Sequence, residues 1–474
     1  MFTRYTAQDW DAYTGDKRDF IRAVIQSYKG SRDFRIGLAA SDYFRGDNQE
    51  IARKTIVKAT TVESEDNGRK RKRLIKSDVP GNRIANGFFF RFVTQQNQHL
   101  LANGVTLADA GEKMRLGYGF DKTLERIGEK ALQHGVCWGY WNADHLECIP
   151  AVDGVLSGFV ALLDEFTGTP RIGIQFWQIA PDKPMCVRLF EQDGVTVYRE
   201  DDDDILQEYE PKRAYIQTVS SDVMGDMVVG CENYTFLPVV PLYANEDKRS
   251  ELTNSIKAKI DLYDKIISDF GDNLDRANDV YWVLNNFGGN TDDMLAMVKY
   301  INELKIVASS NDATGGASAE PKTVDVPYAA RTTALDLLKK ALYQDYMALD
   351  MDALTGGSLT NVAIKAATAN LELKCDRYEW QVFQFVQSIL KLLGIETEEI
   401  RFTRQSIMND AETVQSIYTM RQDIDLETAL QLNPYITQED IPRIIANHSA
   451  ESVSGLAGME QLQSYLDGQG EVNA

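Results

Sequence analysis

The sequence predicts a multidomain α+β protein, and three observations support this prediction. The chain has 474 residues, which is too long for one ordinary domain. Its middle consists of short β-branched runs between turn residues, whereas the flanking segments carry apolar residues at helical spacing. Its composition, 43% hydrophobic and 26% charged, is that of a folded protein that buries a large core.

The first third of the chain is predicted to be mainly helical. Apolar residues at helical spacing predict helices over residues 16–36, 82–103 and 121–134. The pair Asn103–Gly104 provides a C-terminal stop for the second of these helices.

A basic run interrupts this helical region. The polar segment from Glu63 to Lys76 contains five consecutive basic residues, Arg69 to Arg73. Such a run is able to contact nucleic acid or an acidic partner, or it is simply one exposed loop. The sequence slightly favours the exposed loop.

The middle of the chain, residues 135–243, is predicted to be a β-rich unit of hairpins. Its apolar runs are short, rich in β-branched and aromatic residues, and separated by turn residues. The predicted strands are Val136–Trp141, Gly158–Leu163, Ile172–Ile179, Val187–Phe190, Val195–Tyr198, Ala214–Val219 and Met227–Val229. One acidic turn, Asp201–Asp204, offers oxygen ligands of the kind that calcium prefers. The glycine of a calcium-binding EF-hand loop is missing there, so a solvated hairpin tip is favoured.

Three long helices are predicted in the second half, over residues 247–276, 330–352 and 361–393. Apolar residues recur along them at steps of three and four, and Gly394 ends the third. The first helix carries acidic and basic residues on the opposite face. The residues expected to pack the first two helices are Ile260, Tyr263, Ile267, Phe270, Leu338 and Leu342.

A small mixed unit is predicted between the first two long helices, over residues 277–328. It contains strand patterns at Val280–Leu284, Lys305–Ala308 and Thr323–Val326, and a short helix near 291–303. The segment Ser309–Ala319 is rich in small and polar residues and is predicted to be a flexible loop.

A glycine-centred break separates the second and third long helices, between Leu354 and Asn361. Its residues are small or polar and uncharged, and glycine gives the backbone unusual freedom. A mobile loop is favoured here over a plain helix–helix turn. The residues assigned to this loop are Thr355, Gly356, Gly357, Ser358, Thr360 and Asn361.

One set of side chains has the chemistry of a metal site. His134, Cys137, His145 and Cys148 form an H-x2-C-x7-H-x2-C arrangement, and zinc takes four ligands of these types. No C-x-x-C pair accompanies them, and the segment reads as a helix end running into a strand. Ordinary packing is therefore favoured, and no metal or cofactor is expected.

Charge and missing motifs limit the remaining functions. The net charge of −21, from 50 basic and 71 acidic residues, disfavours a protein whose main task is tight DNA binding. The sequence contains no phosphate-binding P-loop, no G-x-S-x-G elbow and no H-E-x-x-H zinc motif. We therefore expect no catalytic residues. A metal-dependent DNA-processing enzyme stays open as an alternative, although no spacing singles out its carboxylates.

Composition also bears on location and on the end of the chain. Five cysteines are too few for a disulfide scaffold, and no apolar run reaches the roughly 18 residues of a membrane span. No signal peptide is recognisable.

Residues 405–474 hold eleven acidic and two basic residues, which predicts a separate acidic, helical terminal unit.

Five segments form an ordered set of motifs. They are Tyr43–Asp47 with Ile51, Asn82–Thr106, Gly135–Tyr140, Tyr263–Phe270 with Asn273–Leu274, and Leu426–Ile445. In order and spacing they closely resemble the portal proteins of tailed bacteriophages of the SPP1-like family. The helix motif Y-D-x-x-x-S-D over Tyr263–Asp269 resembles a signature of that family. The histidine usual near Asn48 and the proline usual after Gly104 are absent.

The resemblance implies a subdomain organisation. Residues 1–246 and 361–404 correspond to the portal wing, 247–276 and 330–352 to the stem, and 277–329 to the clip. Residues 353–361 correspond to the tunnel loop, and 405–474 to the crown.

The resemblance also implies a function and partners. Portal proteins form a ring of about twelve subunits around a channel for double-stranded DNA at one capsid vertex. The implied partners are the terminase large subunit, a head-completion adaptor, the major capsid and scaffolding proteins, and DNA in non-specific transit, with no membrane. The protein is then expected in the virion after assembly in the host cytoplasm. Another phage structural or scaffold component is the main alternative.

Overall fold

The computed structural model divides the chain into two compact units, Met1–Ala348 with Cys375–Thr403, and Leu349–Lys374 with Arg404–Ala474. The residues that the structure describes are 3–66, 69–201, 203, 205–222, 225–277, 281–285, 318–322, 328–354, 360–396, 399–404, 410–420, 425–431, 433, 441 and 443–447.

Helices at both ends of the chain surround a β-rich middle, as the sequence predicts. The helices are α1 (Ala7–Ala12), α2 (Lys17–Lys29), α3 (Arg32–Arg45), α4 (Gln49–Ala52), α5 (Phe88–Leu101), α6 (Ala110–Arg115), α7 (Phe120–His134), α8 (Asn254–Ala277), α9 (Tyr328–Tyr346), α10 (Asn361–Leu392), α11 (Asp410–Met420) and α12 (Leu426–Gln431). None of the described helices is long and apolar enough to cross a bilayer.

The single helix predicted over residues 16–36 is wrong, because the chain forms two helices there. Helix α2 ends at Lys29, and Gly30 follows it as the C-cap. Ser31 then caps α3, since its hydroxyl accepts a hydrogen bond from the Phe34 N–H at 3.1 Å. A serine N-cap satisfies a donor at the start of the new helix and so favours a restart over continuation.

The helix predicted over residues 82–103 begins later than expected. Helix α5 starts at Phe88, and residues 82–87 are not helical. The backbone N–H groups of Asn82, Ile84 and Asn86 donate to side chains of α8 instead. By contrast, the helix predicted over 121–134 is confirmed as α7.

The strands confirm the predicted β-rich middle. They are β1 (Thr55–Asp66), β2 (Arg69–Pro80), β3 (Val105–Leu107), β4 (Val136–Asn142), β5 (His145–Pro150), β6 (Val152–Asp153), β7 (Ser157–Leu163), β8 (Pro170–Trp177), β9 (Cys186–Glu191), β10 (Gly194–Glu200), β11 (Leu206–Arg213), β12 (Ile216–Asp222), β13 (Gly225–Glu232), β14 (Val239–Tyr243), β15 (Tyr281–Asn285), β16 (Ser318–Lys322) and β17 (Ile400–Phe402).

One large sheet dominates this β region. It has six strands in the order β11-β10-β9-β8-β7-β6, each antiparallel to its neighbour. A three-stranded sheet has the order β14-β4-β5, and four two-stranded sheets are β1-β2, β12-β13, β15-β16 and β17-β3. The predicted acidic hairpin tip lies between β10 and β11, where the Asp201 carboxylate accepts from the N–H groups of Asp203 and Ile205 at 3.1 and 2.8 Å.

The basic run Arg69–Arg73 is not an exposed loop, so that interpretation is wrong. It forms the start of β2, which pairs with β1 along twelve positions from Thr55↔Pro80 to Asp66↔Arg69. The strand is hard to recognise in the sequence because the first five positions of β2 are all charged.

Two hydrophobic cores lie in the first compact unit. One core joins helices α5, α7, α8 and α10 around Phe89, Phe92, Leu124 and Phe385. The other packs α2 against the β-sheets around Ile21, Trp138, Phe159 and Phe190. Burial of such large apolar side chains is the main favourable term in folding.

The long helices end at local backbone features. Helix α8 begins at Asn254 rather than 247, and the Thr253 hydroxyl accepts from the Ile256 N–H at 3.3 Å. Helix α9 ends at Tyr346 rather than 352, because Met347 has a left-handed φ of 63°. The third long helix is confirmed as α10, with Gly394 at a φ of 64° beyond its end.

The small unit between α8 and α9 is described only in part. Strands β15 and β16 pair antiparallel, with Tyr281 opposite Lys322. Ser318 and Ala319 therefore belong to a strand and not to the predicted loop. The other predicted elements of this unit, at 291–303, 305–308 and 323–326, lie outside the described residues, as does the rest of the loop, 309–317.

The second compact unit contains α11, α12 and the first part of α10. Within it, Arg404 forms an ion pair with Glu372 at 2.6 Å. The Asp425 carboxylate caps α12 by accepting from the Thr428 N–H at 3.1 Å. Helices in the acidic terminal region are thus confirmed at Asp410–Met420 and Leu426–Gln431, and residues 448–474 lie outside the described residues.

Candidate functional site

Helices α8 and α9 form an antiparallel pair. At one end, the Ser255 hydroxyl donates to the Asp345 carboxylate at 2.8 Å, and Lys259 forms an ion pair with the same carboxylate. At the other end, the rings of Phe270 and Tyr328 meet edge to face with centroids 5.5 Å apart. Since the shorter helix, α9, has 19 residues, the paired arm is roughly 28 Å long.

The residues predicted to pack these helices differ in burial. Ile260 and Leu342 are fully buried in the hydrophobic core. Tyr263 packs edge-on against Phe88, with ring centroids 4.9 Å apart. The remaining three predicted packing residues, Ile267, Phe270 and Leu338, are half-buried.

A second stripe on α8 is polar, and we call it the α8 polar stripe: Asp261, Asp264, Ser268, Asp269, Asp272 and Asp275. Asp264 is at its centre and is completely buried. One oxygen of Asp264 accepts from the Asn86 N–H and side-chain amide at 3.2 and 2.8 Å. The other oxygen accepts from the Asn48 amide at 2.9 Å. Asn48 and the Tyr43 hydroxyl also donate to Asp261.

The second half of the polar stripe binds the chain next to the β1–β2 hairpin. The Asp272 carboxylate accepts from the Asn82 N–H at 2.6 Å and from the Lys54 ammonium at 2.7 Å. Lys54 also pairs with Asp269 at 2.8 Å, and the Asn82 amide donates to Asp275 at 2.9 Å. Between the two halves, the Ile84 N–H donates to the Ser268 hydroxyl at 3.0 Å.

Two glycines permit this close approach. A Cβ at Gly81 would lie 2.9 Å from an oxygen of Asp272, and a Cβ at Gly271 would lie 3.1 Å from the Asn82 amide nitrogen. Contacts this short require neighbouring atoms to move. The absence of a side chain at both positions therefore lets residues 81–82 lie directly on α8.

Two carboxyl groups of the stripe, Asp264 and Asp272, have opposite pKa shifts. Burial raises the pKa of Asp264 above its ordinary value of 3.8, and the hydrogen bonds from Asn86 and Asn48 offset only part of this. Burial also opposes ionisation of Asp272, but the Asn82 N–H and the Lys54 ammonium outweigh it and hold that pKa below 3.8. The stripe therefore combines one carboxyl that resists ionisation with one that is stabilised as an anion.

The arrangement ties distant parts of the chain to one helix. Its donors from outside α8 are amides, a tyrosine hydroxyl and the Lys54 ammonium, and they connect α3, Asn48, Lys54 and residues 82–86 to α8. This junction joins parts of the sequence that are about 180 to 220 residues apart. The sequence predicts a charged face opposite the apolar stripe of this helix, and Asp261, Asp269 and Asp272 belong to that face. The spacing of Asp264, Ser268 and Asp272 at steps of four was the signal for a shared buried face.

The candidate metal ligands do not come together. His134 is buried, its Nε2 lies 2.8 Å from the Ser41 hydroxyl, and burial lowers its pKa to about 3. The sulfurs of Cys137 and Cys148 are 3.6 Å apart on neighbouring strands. His145 is exposed beside Asp144. Within the described ranges, no three His, Cys, Asp or Glu side chains are placed to share a metal ion.

The predicted tunnel loop, residues 353–361, is described only at its two ends, and residues 353–354 close a short 3-10 helix, Met351–Leu354. Thr355, Gly356, Gly357 and Ser358 lie outside the described residues. Thr360 precedes α10, and its hydroxyl accepts from the Ala363 N–H at 3.3 Å, which is the geometry of an N-cap. Asn361 is the first residue of α10. These two residues therefore belong to the start of the helix.

The described residues thus form a mixed helix-and-sheet protein with a paired-helix arm, which the junction ties to the segment before α5. Residues 231–454 match the family described as phage portal protein, SPP1 Gp6-like. The chain is 29% identical over 187 residues to the portal protein of Clostridium phage phiCD119, and 27% identical over 227 residues to the portal protein of Bacillus phage SPP1. These alignments cover 38% and 44% of this chain, and 41% and 44% of the relatives, so less than half of either relative is matched. The family predicted from the sequence is confirmed: the chain carries an SPP1-like phage portal domain.

Proposed function

We propose that the chain is the subunit of a phage portal ring of about twelve copies, which encloses a channel for double-stranded DNA at one capsid vertex. The antiparallel α8–α9 arm carries this proposal, because it lies inside the matched portal domain and supplies the stem that a ring requires. In this proposal the junction of α8 with residues 48–86 fixes each stem arm to the wing of its own subunit.

Exposed apolar side chains on the arm support assembly. Leu337 on α9 is 64% exposed, and Leu262, Leu274 and Tyr328 are also exposed. A neighbouring subunit would cover these side chains in a ring, where each interface joins two different faces and closes by rotation. The net charge of −21 per chain would then reduce adhesion of DNA to the channel wall.

The proposed partners follow from the same role. The terminase large subunit would dock on the clip, residues 277–329, during packaging, and a head-completion adaptor would dock there afterwards. The major capsid and scaffolding proteins would surround the wing. The ring itself would be structural, with no catalytic activity and no cofactor, and would be found in the virion.

Negative-stain electron microscopy with light scattering tests this proposal. The purified chain is expected to form rings of about twelve or thirteen subunits with a central hole. Leu337→Glu should prevent ring formation, because it would bury a charge in the interface between neighbours. Met114→Glu is the matched control, since Met114 is 81% exposed on α6 and away from the arm. A stable monomer at micromolar concentration would contradict the proposal.

A further inference from the structure

Two thiols meet in the three-stranded sheet β14-β4-β5. Cys137 lies on β4 and Cys148 lies on the neighbouring strand β5, and their sulfur atoms are 3.6 Å apart. Neither thiol is part of a disulfide, because all five cysteines of the chain are free. The two sulfurs are therefore in contact but not bonded, on adjacent strands whose pairing holds them together.

The strand register explains this contact. Cys148 is directly opposite Gly139, which is two residues beyond Cys137 on β4. Residues two apart share one face of a strand, so Cys137, Gly139 and Cys148 lie on the same face of the sheet. A Cβ at Gly139 would lie 2.5 Å from the ring of Phe385, so the core favours glycine there. The position opposite Cys148 thus has no side chain, and the Cys148 sulfur reaches Cys137 diagonally.

The two thiols differ in their surroundings. Cys137 is completely buried, whereas Cys148 is half-buried. Burial raises the pKa of the Cys137 thiol. The pKa of Cys148 is lowered, because its sulfur accepts a hydrogen bond from the Cys137 thiol and because Arg126 and Lys130 on α7 supply positive charge. Cys148 is therefore the more reactive sulfur, and Cys137 is a protonated thiol beside it.

We propose that Cys148 and Cys137 form a peroxide-reactive pair, which closes a reversible disulfide between β5 and β4. In the first step the Cys148 thiolate attacks one oxygen of hydrogen peroxide and the O–O bond breaks. The hydroxide that leaves takes up the proton that the Cys148 thiol had lost, so the products are a sulfenic acid on Cys148 and one water.

The second step forms the cross-link. The Cys137 sulfur attacks the Cys148 sulfur, the S–O bond breaks, and the hydroxide leaves with the Cys137 proton as a second water. In total, two thiols lose two electrons and one peroxide gains them, which gives one disulfide and two waters. The sulfurs have to approach each other by about 1.6 Å, from contact to the bonded distance of about 2.05 Å.

The cross-link would lie within the core that contains Cys137 and residues of α5, α7, α8 and α10. Thiol reductants keep such a pair reduced in cytosol, whereas conditions outside cells favour the disulfide. The bond would accordingly form after a particle leaves its host. Only this timing rests on the proposed function, because the reaction itself belongs to the single chain.

Thiol counting with peptide mapping tests the pair. The full-length chain is treated with hydrogen peroxide, unfolded in guanidinium and titrated with Ellman's reagent. The count should fall from five free thiols to three, and dithiothreitol should restore it. Peptide mapping without reductant should find Cys137 linked to Cys148. Cys186→Ser is the matched control, since Cys186 is also half-buried on a strand, and this variant should still lose two thiols. An unchanged count, or bonds that leave out this pair, would overturn the proposal.

Trapping of the sulfenic acid tests the order of the two steps. Cys137→Ala removes the second thiol, so dimedone should label Cys148 after peroxide treatment. In Cys148→Ala, dimedone labelling of Cys137 should be at least about tenfold weaker, because that thiol is buried and protonated. Equal labelling of the two variants would overturn the assignment of Cys148 as the attacking sulfur. Circular dichroism checks that both variants fold, and the map of the unaltered chain decides the cross-link without them. Electron microscopy of the same samples reports ring formation separately, so failure of the proposed function is distinguishable from failure of the pair.

Discussion

Asn86 donates both its backbone N–H and its side-chain amide to one carboxylate oxygen of Asp264, at 3.2 and 2.8 Å. Asp264 is completely buried in α8, so this pair is shielded from water. A buried carboxyl without partners would be costly, and the amides of Asn86 and Asn48 supply those partners. The contact thus fixes the segment before α5 onto the arm.

Replacing this carboxyl tests the junction. Asp264→Asn keeps the shape of the side chain but turns a donating NH2 group towards the amides of Asn48 and Asn86. The free energy of unfolding should therefore fall by about 1–3 kcal/mol. The folded pKa of Asp264 is raised, so the folded state holds its proton more tightly than the unfolded chain does. The stability from this shift is present below pH 3.8 and is lost as the pH rises through the folded pKa. Urea unfolding should therefore show a larger penalty for Asp264→Asn at low pH than at neutral pH.

Asp272→Asn should show the opposite pH dependence. The folded pKa of Asp272 is lowered, so its stabilisation is present above pH 3.8 and is lost as the pH falls through the folded pKa. The loss of unfolding free energy caused by Asp272→Asn, measured by urea unfolding, should grow as the pH rises from about 3 to about 6. Parallel pH trends for the two variants would contradict the different environments of these carboxyls.

Gly135 joins α7 to β4 at a tight contact. Its φ is +90°, and an added Cβ would lie 2.7 Å from the carbonyl carbon of Arg249 and 2.8 Å from the Ser250 nitrogen. Gly135→Ala should lower the free energy of unfolding by about 3 kcal/mol or more, because backbone atoms have to move. Gly154→Ala is the control, since Gly154 has a φ of +72° with no atom within 4 Å of the added Cβ. Gly154→Ala should lower the free energy of unfolding by only about 1–2 kcal/mol. Equal shifts in urea midpoint would show that the contact at Gly135 has no role.

Tyr346, the last residue of α9, connects the arm to α5. Its hydroxyl donates to the Gln96 side-chain oxygen at 2.9 Å, and its ring stacks on Phe92 with centroids 4.6 Å apart. Tyr346→Phe keeps the stacked ring and removes the hydroxyl donor, so the free energy of unfolding should fall by about 1–2 kcal/mol. Tyr118→Phe is the control at a fully exposed tyrosine and should leave the urea midpoint unchanged. An unchanged midpoint for Tyr346→Phe would mean that Gln96 finds another donor.

The sequence predicts the regular parts of this fold and misses the long-range polar contacts. Helices α7 and α10 follow from apolar spacing alone, because one stripe of each faces a core. Hairpin β1–β2 is missed because charged residues obscure its alternation. The division between α2 and α3 is also missed, although Ser31 is an ordinary N-cap residue, because the apolar pattern continues past Gly30 to Phe34.

The α8 polar stripe is harder to predict from sequence. Acids at steps of three and four look the same on a solvated helix face and on a buried one. Only the tertiary fold brings Asn48, Asn82 and Asn86 against them. The motif Tyr263–Asp269 marks the position of Asp264 and Ser268, but periodicity gives no sign of their donors.

The glycine pair of the tunnel loop gives a prediction about DNA passage. Gly356 and Gly357 lie outside the described residues, and the assignment rests on the portal resemblance. Gly356→Val/Gly357→Val should restrict the backbone and slow DNA packaging, while rings still assemble. Packaging is measured as DNA protected from nuclease in a reconstituted reaction with capsids and terminase. A normal rate with intact rings would favour a plain helix–helix turn.

Charge at Ser358 gives the complementary prediction. Ser358→Asp would add about twelve negative charges around the channel of a ring, and these would repel the phosphates of passing DNA. Screening by salt weakens such repulsion, so the packaging rate should fall most at low ionic strength and recover as salt is added. Ser358→Asn is the matched control, because it has nearly the same size as aspartate without the charge, and it should package at close to the normal rate. If Ser358→Asp and Ser358→Asn package at the same rate at every salt concentration, residue 358 does not line the channel.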